Sequence, residues 1–336
     1  MTTWGLIGLG KIAGVRLAPA FAQSSTEQLV AAAGRDAERT RAFAERHGLA
    51  PRSIDDLLAD PAITAVYIAA TNDLHAPYTR AAAAAGKHVL CEKPLARTVD
   101  EAEAMIAACR AAGVLLGTAF MMRYHPLHQA VRELIATGTL GRLLQARVQY
   151  GFELRPGRQT WRIDEAISGG GPIMDVGSHA IDLLTLVTGR ALQEVSAFTA
   201  RQTLAGSTED AAVLNLRFDG DLLGQVNVAF NLAFAPTLLE VHGTAGSIVA
   251  RGTIGQVAEG QAEVITADGT RALPYTPRDL YQAEIEAFGR AVRGEAPLEQ
   301  TAEAGLRNLL ALRAAYDSAA TEGRAVATGG VPATGG

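Results

Sequence analysis

The first third of the chain alternates short apolar runs with stretches of helical period. The apolar runs lie at residues 4–8, 29–33, 63–68, 88–91 and 114–117. Strands that alternate with helices at this rhythm form parallel βαβ units, with helices on both faces of one sheet. Residues 1–122 are therefore predicted to form a doubly wound α/β domain of the Rossmann type. A flavodoxin-like or other doubly wound domain is the alternative, and the turn glycines described below weigh against it.

The rhythm changes after residue 122. A long alternating strand at 140–152 and a helix are followed, between residues 193 and 267, by strand-like runs without intervening helices. Adjacent strands of this kind form a mostly antiparallel sheet, and two helical stretches follow them. Residues 123–324 are predicted to form a second α/β domain with a large open sheet. The stretch 325–336 is rich in small residues and is predicted to be a disordered tail.

Composition excludes several classes of protein. The chain has 336 residues, of which 48% are hydrophobic and 19% charged, so it has enough apolar material for two packed cores. A formal net charge of −5 offers no basic field to nucleic acid. No apolar run approaches the roughly 20 residues that span a bilayer, and no signal-peptide pattern precedes the first strand. Cys91 and Cys109 indicate neither a disulfide framework nor a metal site, so we expect a cytoplasmic protein.

The chain uses lysine sparingly. Lys11, Lys87 and Lys93 stand against 27 arginines, and all three lie at the starts or ends of strand-like runs. Lysine can lose its proton in a suitable environment, whereas arginine effectively cannot. A lysine kept in an arginine-rich chain therefore indicates, mildly, that the chemistry of the ammonium group matters.

The first strand runs into a turn with the pattern G-x-G-x-x-A. The first glycine makes the tight turn, the second lets the backbone approach a pyrophosphate, and the small third residue lets helix and strand pack closely. At the N-terminal strand of a βαβ unit this pattern predicts dinucleotide binding rather than a purely structural turn. The predicted cofactor-binding residues of this turn are Gly8, Gly10, Lys11, Ile12 and Ala13.

The end of the second strand bears on which dinucleotide binds. An acidic residue there would bind the ribose 2′-hydroxyl of NAD, whereas a basic residue accommodates the 2′-phosphate of NADP. Arg35 takes that place, Arg39 follows one helical turn later, and Asp36 is suited to cap the next helix. NADP is therefore favoured over NAD. The alternative is that Arg35 packs on the adenine and that either cofactor serves.

Polar residues follow the third strand. In open parallel sheets, ligands bind beyond the carboxyl ends of the strands. Thr71, Asn72 and His75 lie there and are candidates for contact with the cofactor ribose or nicotinamide. His75 is also typical of a helix start, which would give it a structural role.

The fourth strand ends in the turn Glu92-Lys93-Pro94. Proline is the residue before which a cis peptide bond costs least, so a cis Lys93–Pro94 bond is compatible with the sequence. Lys93 at this edge is suited to exchange a proton with an alcohol or carbonyl oxygen during hydride transfer. Glu92 and Lys93 are predicted to contact the cofactor as well. The alternative is an incidental Glu–Lys pair at the end of a surface strand.

Asp175 and His179 follow a glycine-rich stretch, residues 169–171. Their i, i+4 spacing at a helix start places them on one face. A carboxylate that orients a histidine is a general acid–base arrangement, and both residues are predicted to be catalytic. The same spacing also suits a structural pair or a metal site. No clear third ligand accompanies it, and no metal is predicted.

Together these stretches resemble the glucose–fructose oxidoreductase / inositol dehydrogenase / MocA (Gfo/Idh/MocA) family. The resemblance covers about residues 3–320 and is most specific at 8–13, 92–94 and 169–179. Within the family, four stretches are similar to the branch that contains 1,5-anhydro-D-fructose reductase, namely residues 4–8, 71–75, 161–162 and 240–244.

The resemblance implies an N-terminal Rossmann domain and a C-terminal α/β domain whose open sheet face mediates homodimers or homotetramers. It also implies that Lys93, Asp175 and His179 converge, without metal, on the reacting carbon of a sugar, cyclitol or related polyol. The sharper hypothesis is that Lys93 and His179 share the substrate oxygen. Besides His179, the candidates for substrate contact are Arg123, Trp161 and Arg162. Surface arginines and a core tryptophan are the alternative for these three.

The leading functional hypothesis is an NADP-preferring dehydrogenase or reductase that acts on a hydroxyl or carbonyl carbon of a sugar, anhydro-sugar or polyol. A non-catalytic NAD(P)-binding sensor would need only the cofactor turn. The joint presence of Lys93, Asp175 and His179 therefore speaks against a sensor. A hydrolase or lyase that works through transient oxidation by bound cofactor is the third function compatible with these residues.

Overall fold

The computed structural model describes residues 1–155 and 160–329. Its backbone contacts divide the chain into two compact units. The first unit consists of Met1–Phe120 and Tyr281–Leu306, and the second contains the other described residues. The first boundary lies close to the expected one. The segment Tyr281–Leu306, however, belongs to the first unit, although its position in the sequence suggested the second.

The first unit is built on a parallel sheet. Within the described residues it has six strands in the order β3-β2-β1-β4-β5-β6. The strands are β1 (Thr2–Ile7), β2 (Glu27–Ala33), β3 (Ala50–Arg52), β4 (Ala65–Ile68), β5 (His88–Glu92) and β6 (Leu116–Ala119). The helices are α1 (Ala18–Gln23), α2 (Ala37–His47), α3 (Ile54–Ala59), α4 (His75–Ala84) and α5 (Val99–Ala111). This strand order is that of a Rossmann sheet and differs from the flavodoxin order, so the predicted Rossmann type is confirmed.

Local sequence signals explain where several of these helices begin and end. The carboxylate of Asp36 accepts the backbone N–H of Arg39 at 2.8 Å, which caps α2 as expected. The hydroxyl of Thr98 accepts the N–H of Glu101 at 3.2 Å at the start of α5. Gly48 ends α2 with a φ of +67°, a conformation that favours glycine. Capping chemistry thus determines the positions of the helices that follow the strand ends.

The second unit is built on a larger sheet. Within the described residues it has nine strands in the order β14-β13-β12-β11-β7-β10-β9-β8-β15. The strands are β7 (Leu143–Gly151), β8 (Leu192–Ala200), β9 (Ala211–Phe218), β10 (Leu223–Ala229), β11 (Leu238–Gly243), β12 (Gly246–Arg251), β13 (Gln261–Thr266), β14 (Gly269–Ala272) and β15 (Val326–Ala327). The remaining helices of the chain are α6 (Pro126–Ala136), α7 (Glu165–Ser168), α8 (Ser178–Thr188), α9 (Leu280–Val292) and α10 (Ala302–Ala320).

The predicted antiparallel character holds for this sheet with one exception, because β7 and β10 run parallel. The expected disordered tail needs a correction. Val326–Ala327 pairs with β8, and the Thr328 hydroxyl donates to the carbonyl of Leu192 at 2.7 Å. Two residues of strand are too short to show a period in the sequence. Residues 330–336 lie outside the described residues.

Two neighbouring histidines are buried in the second unit. The rings of His125 and His128 lie 4.6 Å apart, and both side chains are fully buried. His128 Nδ1 lies 2.9 Å from the carbonyl of Met122, and its Nε2 lies 3.1 Å from the hydroxyl of Thr253. A neutral ring satisfies both contacts, because Nδ1–H donates and Nε2 accepts. Burial, with a smaller contribution from His125, lowers the pKa of His128 to about 3.

Acid is therefore expected to destabilise the second unit through His128. Its folded pKa lies below the unfolded value of 6.5, so the neutral ring contributes fully above pH 6.5 and this contribution falls as the pH approaches 3. The loss between pH 6.5 and 5 amounts to about 2 kcal/mol. Urea unfolding across this range measures it. His128→Asn should flatten the slope, whereas His242→Gln, at a half-exposed histidine, should not. Equal slopes in His128→Asn and the unchanged protein would contradict the assignment.

Candidate active site

The glycine turn after β1 has the geometry that a pyrophosphate requires. Gly8 has a φ of +97°, and a Cβ on it would lie 2.6 Å from backbone atoms of Ala69 and Ala70. Only glycine fits there. A Cβ on Gly10, by contrast, would meet no described atom within 4 Å, so it would project into open space at the start of the next helix. Ala13 is fully buried where that helix meets the sheet. The residues present therefore fit a dinucleotide.

Two arginines stand at the end of β2, beside this turn. Arg35 and Arg39 are both exposed. The guanidinium of Arg39 donates to the carbonyl of Leu9 at 3.0 Å, which ties it to the glycine turn. Asp36 uses its carboxylate as the cap of α2. At this strand end Arg39 thus contacts the turn, whereas the carboxylate of Asp36 is engaged by its own helix.

The segment after β4 holds a buried histidine. His75 is fully buried, its Nδ1 lies 2.9 Å from the carbonyl of Pro94, and its Nε2 lies 3.3 Å from the carbonyl of Ala70. Burial lowers the pKa of His75. This geometry favours the structural alternative, in which His75 holds the Lys93–Pro94 turn against the end of β4. Asn72 is 5% exposed, and the Thr71 hydroxyl donates to Asp73. Cofactor contact by Thr71, Asn72 and His75 stays a prediction.

Lys93 lies half-buried at the carboxyl end of β5, and the Lys93–Pro94 bond is cis. Its backbone N–H donates to Glu92 Oε2 at 3.3 Å, and the Tyr67 hydroxyl lies 3.1 Å from Glu92 Oε1.

The side chain of Lys87 has a different role from that of Lys93. Its ammonium donates to the carbonyls of Asp60 and Ile63, each at 2.7 Å. Lys87 therefore has a structural role and not a chemical one.

The backbone of the glycine-rich stretch of the second unit, residues 169–171, packs closely against neighbouring residues. A Cβ on Gly170 would overlap the Tyr316 hydroxyl, and a Cβ on Gly171 would overlap the carbonyl of Glu209. The carboxylate of Glu209 accepts the N–H groups of Gly171 and Ile173, both at 3.1 Å, and the Tyr316 hydroxyl at 2.8 Å. Burial raises the pKa of Glu209. Glu209 and Tyr316 thus fix the start of the helix that carries Asp175 and His179. No period or motif in the sequence marks either residue.

Asp175 and His179 lie on consecutive turns, since a π-helical turn at Ile173–Gly177 continues into α8. Asp175 Oδ2 accepts Arg162 Nε at 2.9 Å, and both side chains are mostly buried. His179 is 5% exposed, and its ring centroid lies 6.3 Å from that of Tyr150 on β7. Burial raises the pKa of Tyr150, and the charge of Asp175 adds to this. The structure therefore brings together Asp175, His179 and the predicted Arg162, with Tyr150 as a member that the sequence did not reveal.

Arg123, another predicted substrate contact, is bound to an acid on α8. Its Nε donates to both carboxylate oxygens of Asp182, at 3.2 and 2.9 Å. The two side chains are 12% and 4% exposed, so the pair is largely desolvated. This arrangement favours a structural role for Arg123 in holding α8. Trp161 is half-buried, and the guanidinium of Arg162 lies 4.5 Å from its ring centroid. Substrate contacts by Arg123, Trp161 and Arg162 stay predictions.

Neither a metal cluster nor a membrane span accompanies these residues in the part of the chain that the structure describes. Over residues 1–155 and 160–329, no three His, Cys, Asp or Glu side chains are grouped so that they could hold a metal ion. Over the same ranges, no helix combines the length and the apolar character needed to cross a membrane.

Comparison with models of known protein families shows to which family the chain belongs. Residues 2–120 match the model of the oxidoreductase family with an NAD-binding Rossmann fold, and residues 128–249 match the Gfo/Idh/MocA C-terminal domain. The chain belongs to the Gfo/Idh/MocA family. The resemblance expected from the sequence is thereby confirmed, as is the α/β fold with a parallel sheet and a mostly antiparallel one.

Two relatives are named for the sugar on which each acts. The chain is 37% identical to a 1,5-anhydro-D-fructose reductase of Ensifer adhaerens over 96% of its own length and 97% of the relative's. It is 35% identical to D-xylose 1-dehydrogenase (NADP(+)) 2 of Haloferax volcanii, over 95% and 97% of the two chains. Among solved structures, levoglucosan dehydrogenase in complex with NADH and L-sorbose matches with a TM-score of 0.89 and 25% identity, over 98% and 99% of the chains.

Proposed function

We propose that the protein transfers a hydride between a nicotinamide cofactor and a hydroxyl or carbonyl carbon of a sugar, anhydro-sugar or polyol. The observation that carries the cofactor part is the turn after β1, where the backbone of Gly8 requires glycine and Gly10 leaves room beside the helix start. The named sugar activities of the two relatives support the substrate class.

The chemistry divides between the bound group and the residues of the chain. When bound, the nicotinamide supplies or accepts the hydride. Lys93 and His179 hold the substrate oxygen and move its proton. Asp175 supports the histidine, and its Oδ2 accepts a hydrogen bond from Arg162 Nε at 2.9 Å. Lys93 and His179 are the two candidates for the group that exchanges this proton, as a base in oxidation and as an acid in reduction.

NADP is the cofactor that the exposed cations beside the glycine turn favour. Arg35→Ala is expected to weaken NADPH binding relative to NADH by about 10- to 100-fold, because one charged hydrogen-bonding partner of the 2′-phosphate is lost. Fluorescence titration of both reduced cofactors measures the ratio. Arg46→Ala removes an exposed arginine near the far end of α2 and serves as the control. An unchanged ratio in Arg35→Ala would refute the NADP assignment.

A substrate screen tests the proposed reaction. Sugars, anhydro-sugars, inositols and dihydrodiols are offered with NADPH, NADH, NADP and NAD, while absorbance of the reduced cofactor is followed. Turnover with a member of the first three groups is the expected result. Cofactor binding without turnover of any compound would favour the sensor. Product formation without net change in cofactor absorbance would favour a hydrolase or lyase that works through transient oxidation.

A second copy of the chain is the proposed protein partner, in a homodimer or homotetramer. Phe198 and Val213 are register partners on β8 and β9, and they are 59% and 43% exposed. Their neighbours along the strands, Ala197 and Leu214, are fully buried. One face of this sheet therefore carries exposed apolar side chains, which soluble proteins commonly cover by association.

A further inference from the structure

A buried polar cluster in the first unit is not explained by the glycine turn or by Lys93 alone. Tyr67 lies on β4 and Glu284 on α9, and both residues are fully buried. Glu92, the last residue of β5, is half-buried and immediately precedes Lys93. Glu284, Tyr67 and Glu92 are named the Glu–Tyr–Glu cluster. Burial of polar groups costs free energy unless hydrogen bonds compensate for the lost water, so the hydrogen bonds within this cluster need to be accounted for.

The geometry of the cluster places one phenol between two carboxyl groups. The Tyr67 hydroxyl oxygen lies 3.1 Å from Glu92 Oε1 and 3.3 Å from Glu284 Oε2. The other oxygen of Glu92 accepts the backbone N–H of Lys93 at 3.3 Å. A phenol carries a single proton and can donate it to only one of two acceptors. Both contacts are hydrogen bonds only if the second carboxyl group carries a proton and donates it to the phenol oxygen.

We propose that Glu284 is protonated at neutral pH and donates to Tyr67, and that Tyr67 donates to Glu92 and so positions the backbone of Lys93. The location of the proton follows from burial, because the fully buried carboxyl group pays the larger cost for a charge. Glu92 is half-buried and accepts two hydrogen bonds, which stabilise its anionic form.

Tyr67 is suited to act as the donor to Glu92. Burial raises the pKa of Tyr67 well above its ordinary value, and the charge of Glu92 and its hydrogen bond with the phenol raise it further. The phenol therefore keeps its proton and remains a donor. Tyr67 and Glu284 act through Glu92 and are positioning residues, not catalytic ones. Their effect on turnover rests on the proposed function of Lys93, whereas the location of the proton does not.

Infrared spectroscopy tests the proton directly. In the full-length protein at about pH 8, well above the ordinary carboxyl range, the difference spectrum against Glu284→Gln should show the carbonyl stretch of a protonated carboxylic acid. The difference spectrum against Glu92→Gln should show loss of a carboxylate band instead. A difference spectrum against Glu284→Gln without an acid band would overturn the proposal. So would an acid band that disappears in Glu92→Gln.

Turnover tests the positioning role. Tyr67→Phe is expected to lower kcat/KM by about 10-fold and to move a limb of its pH profile, since Glu92 loses its neutral donor. Tyr275→Phe also removes one phenol, whose oxygen lies 3.1 Å from the carbonyl of Gly260 in the second unit, and should change neither quantity. A Tyr67→Phe variant with unchanged kcat/KM and pH profile would overturn the positioning role. If no substrate is turned over at all, the proposed function fails while the infrared result still decides the location of the proton.

Discussion

Replacing Lys93 by methionine is expected to reduce turnover by about 100- to 10,000-fold, the range that general acid–base groups contribute. Methionine keeps the length of the side chain and lacks an exchangeable proton. Lys93 follows β5 and is held by the backbone contact to Glu92 and by the packing of His75 on Pro94. These contacts involve the backbone of the turn, so they survive the substitution. Cofactor binding, measured by fluorescence titration, should persist while kcat falls.

Lys87→Met is the matched control for this experiment. Lys87 is a buried lysine of the first unit, and its ammonium binds two backbone carbonyls. Its loss should lower the free energy of unfolding but leave kcat of the folded protein unchanged. The catalytic assignment is wrong if Lys93→Met turns over substrate as Lys87→Met does while still binding cofactor.

Replacing Arg293 by methionine is expected to lower the free energy of unfolding of the first unit by about 3–5 kcal/mol. Arg293 Nη1 donates to Glu27 Oε1 at 2.7 Å, and the Trp4 ring N–H donates to Glu27 Oε2 at 2.9 Å. The side chain of Glu27 is fully buried, so the variant would leave a carboxylate in the core without its cation. Urea unfolding followed by tryptophan fluorescence measures the change.

Two further variants separate the buried charge from other effects of this substitution. Arg290→Met removes an exposed arginine from α9, which ends just before Arg293, and should change the free energy of unfolding by less than about 0.5 kcal/mol. The double variant Glu27→Gln with Arg293→Met should be more stable than Arg293→Met alone, because the unpaired charge is gone. An Arg293→Met variant as stable as Arg290→Met would show that Glu27 does not depend on its partner.

Features that depend on local pattern could be predicted from the sequence. The turn at Gly8 needs a backbone conformation that only glycine readily adopts, so the G-x-G-x-x-A motif identifies this turn in the sequence. Asp36 and Thr98 cap their helices because short polar side chains compete for free N–H groups, and the structure has both caps. Alternation along β9 predicts its buried and exposed faces correctly, since side chains of a strand alternate.

Features that depend on distant contacts could not be predicted in this way. Helix α9 has an ordinary amphipathic pattern, which does not say which core receives its apolar face. The structure shows Phe288 fully buried against Gly117 in the first unit. Glu209 and Tyr316 are separated by more than a hundred residues, and only the fold brings them to the glycine-rich stretch. Arg162 and Asp175 were both candidates, but their ion pair is visible only in three dimensions.

The return of Tyr281–Leu306 to the first unit affects the order in which the protein folds during synthesis. Trp4 and Glu27 leave the ribosome early, whereas Arg293 is made near the end of the chain. Until then the buried carboxylate has no cation, and Gly117 lacks the aromatic ring that covers it. The nucleotide-binding half therefore cannot reach its final stability as a nascent N-terminal domain, and a fragment that stops at Phe120 would lack the same partners.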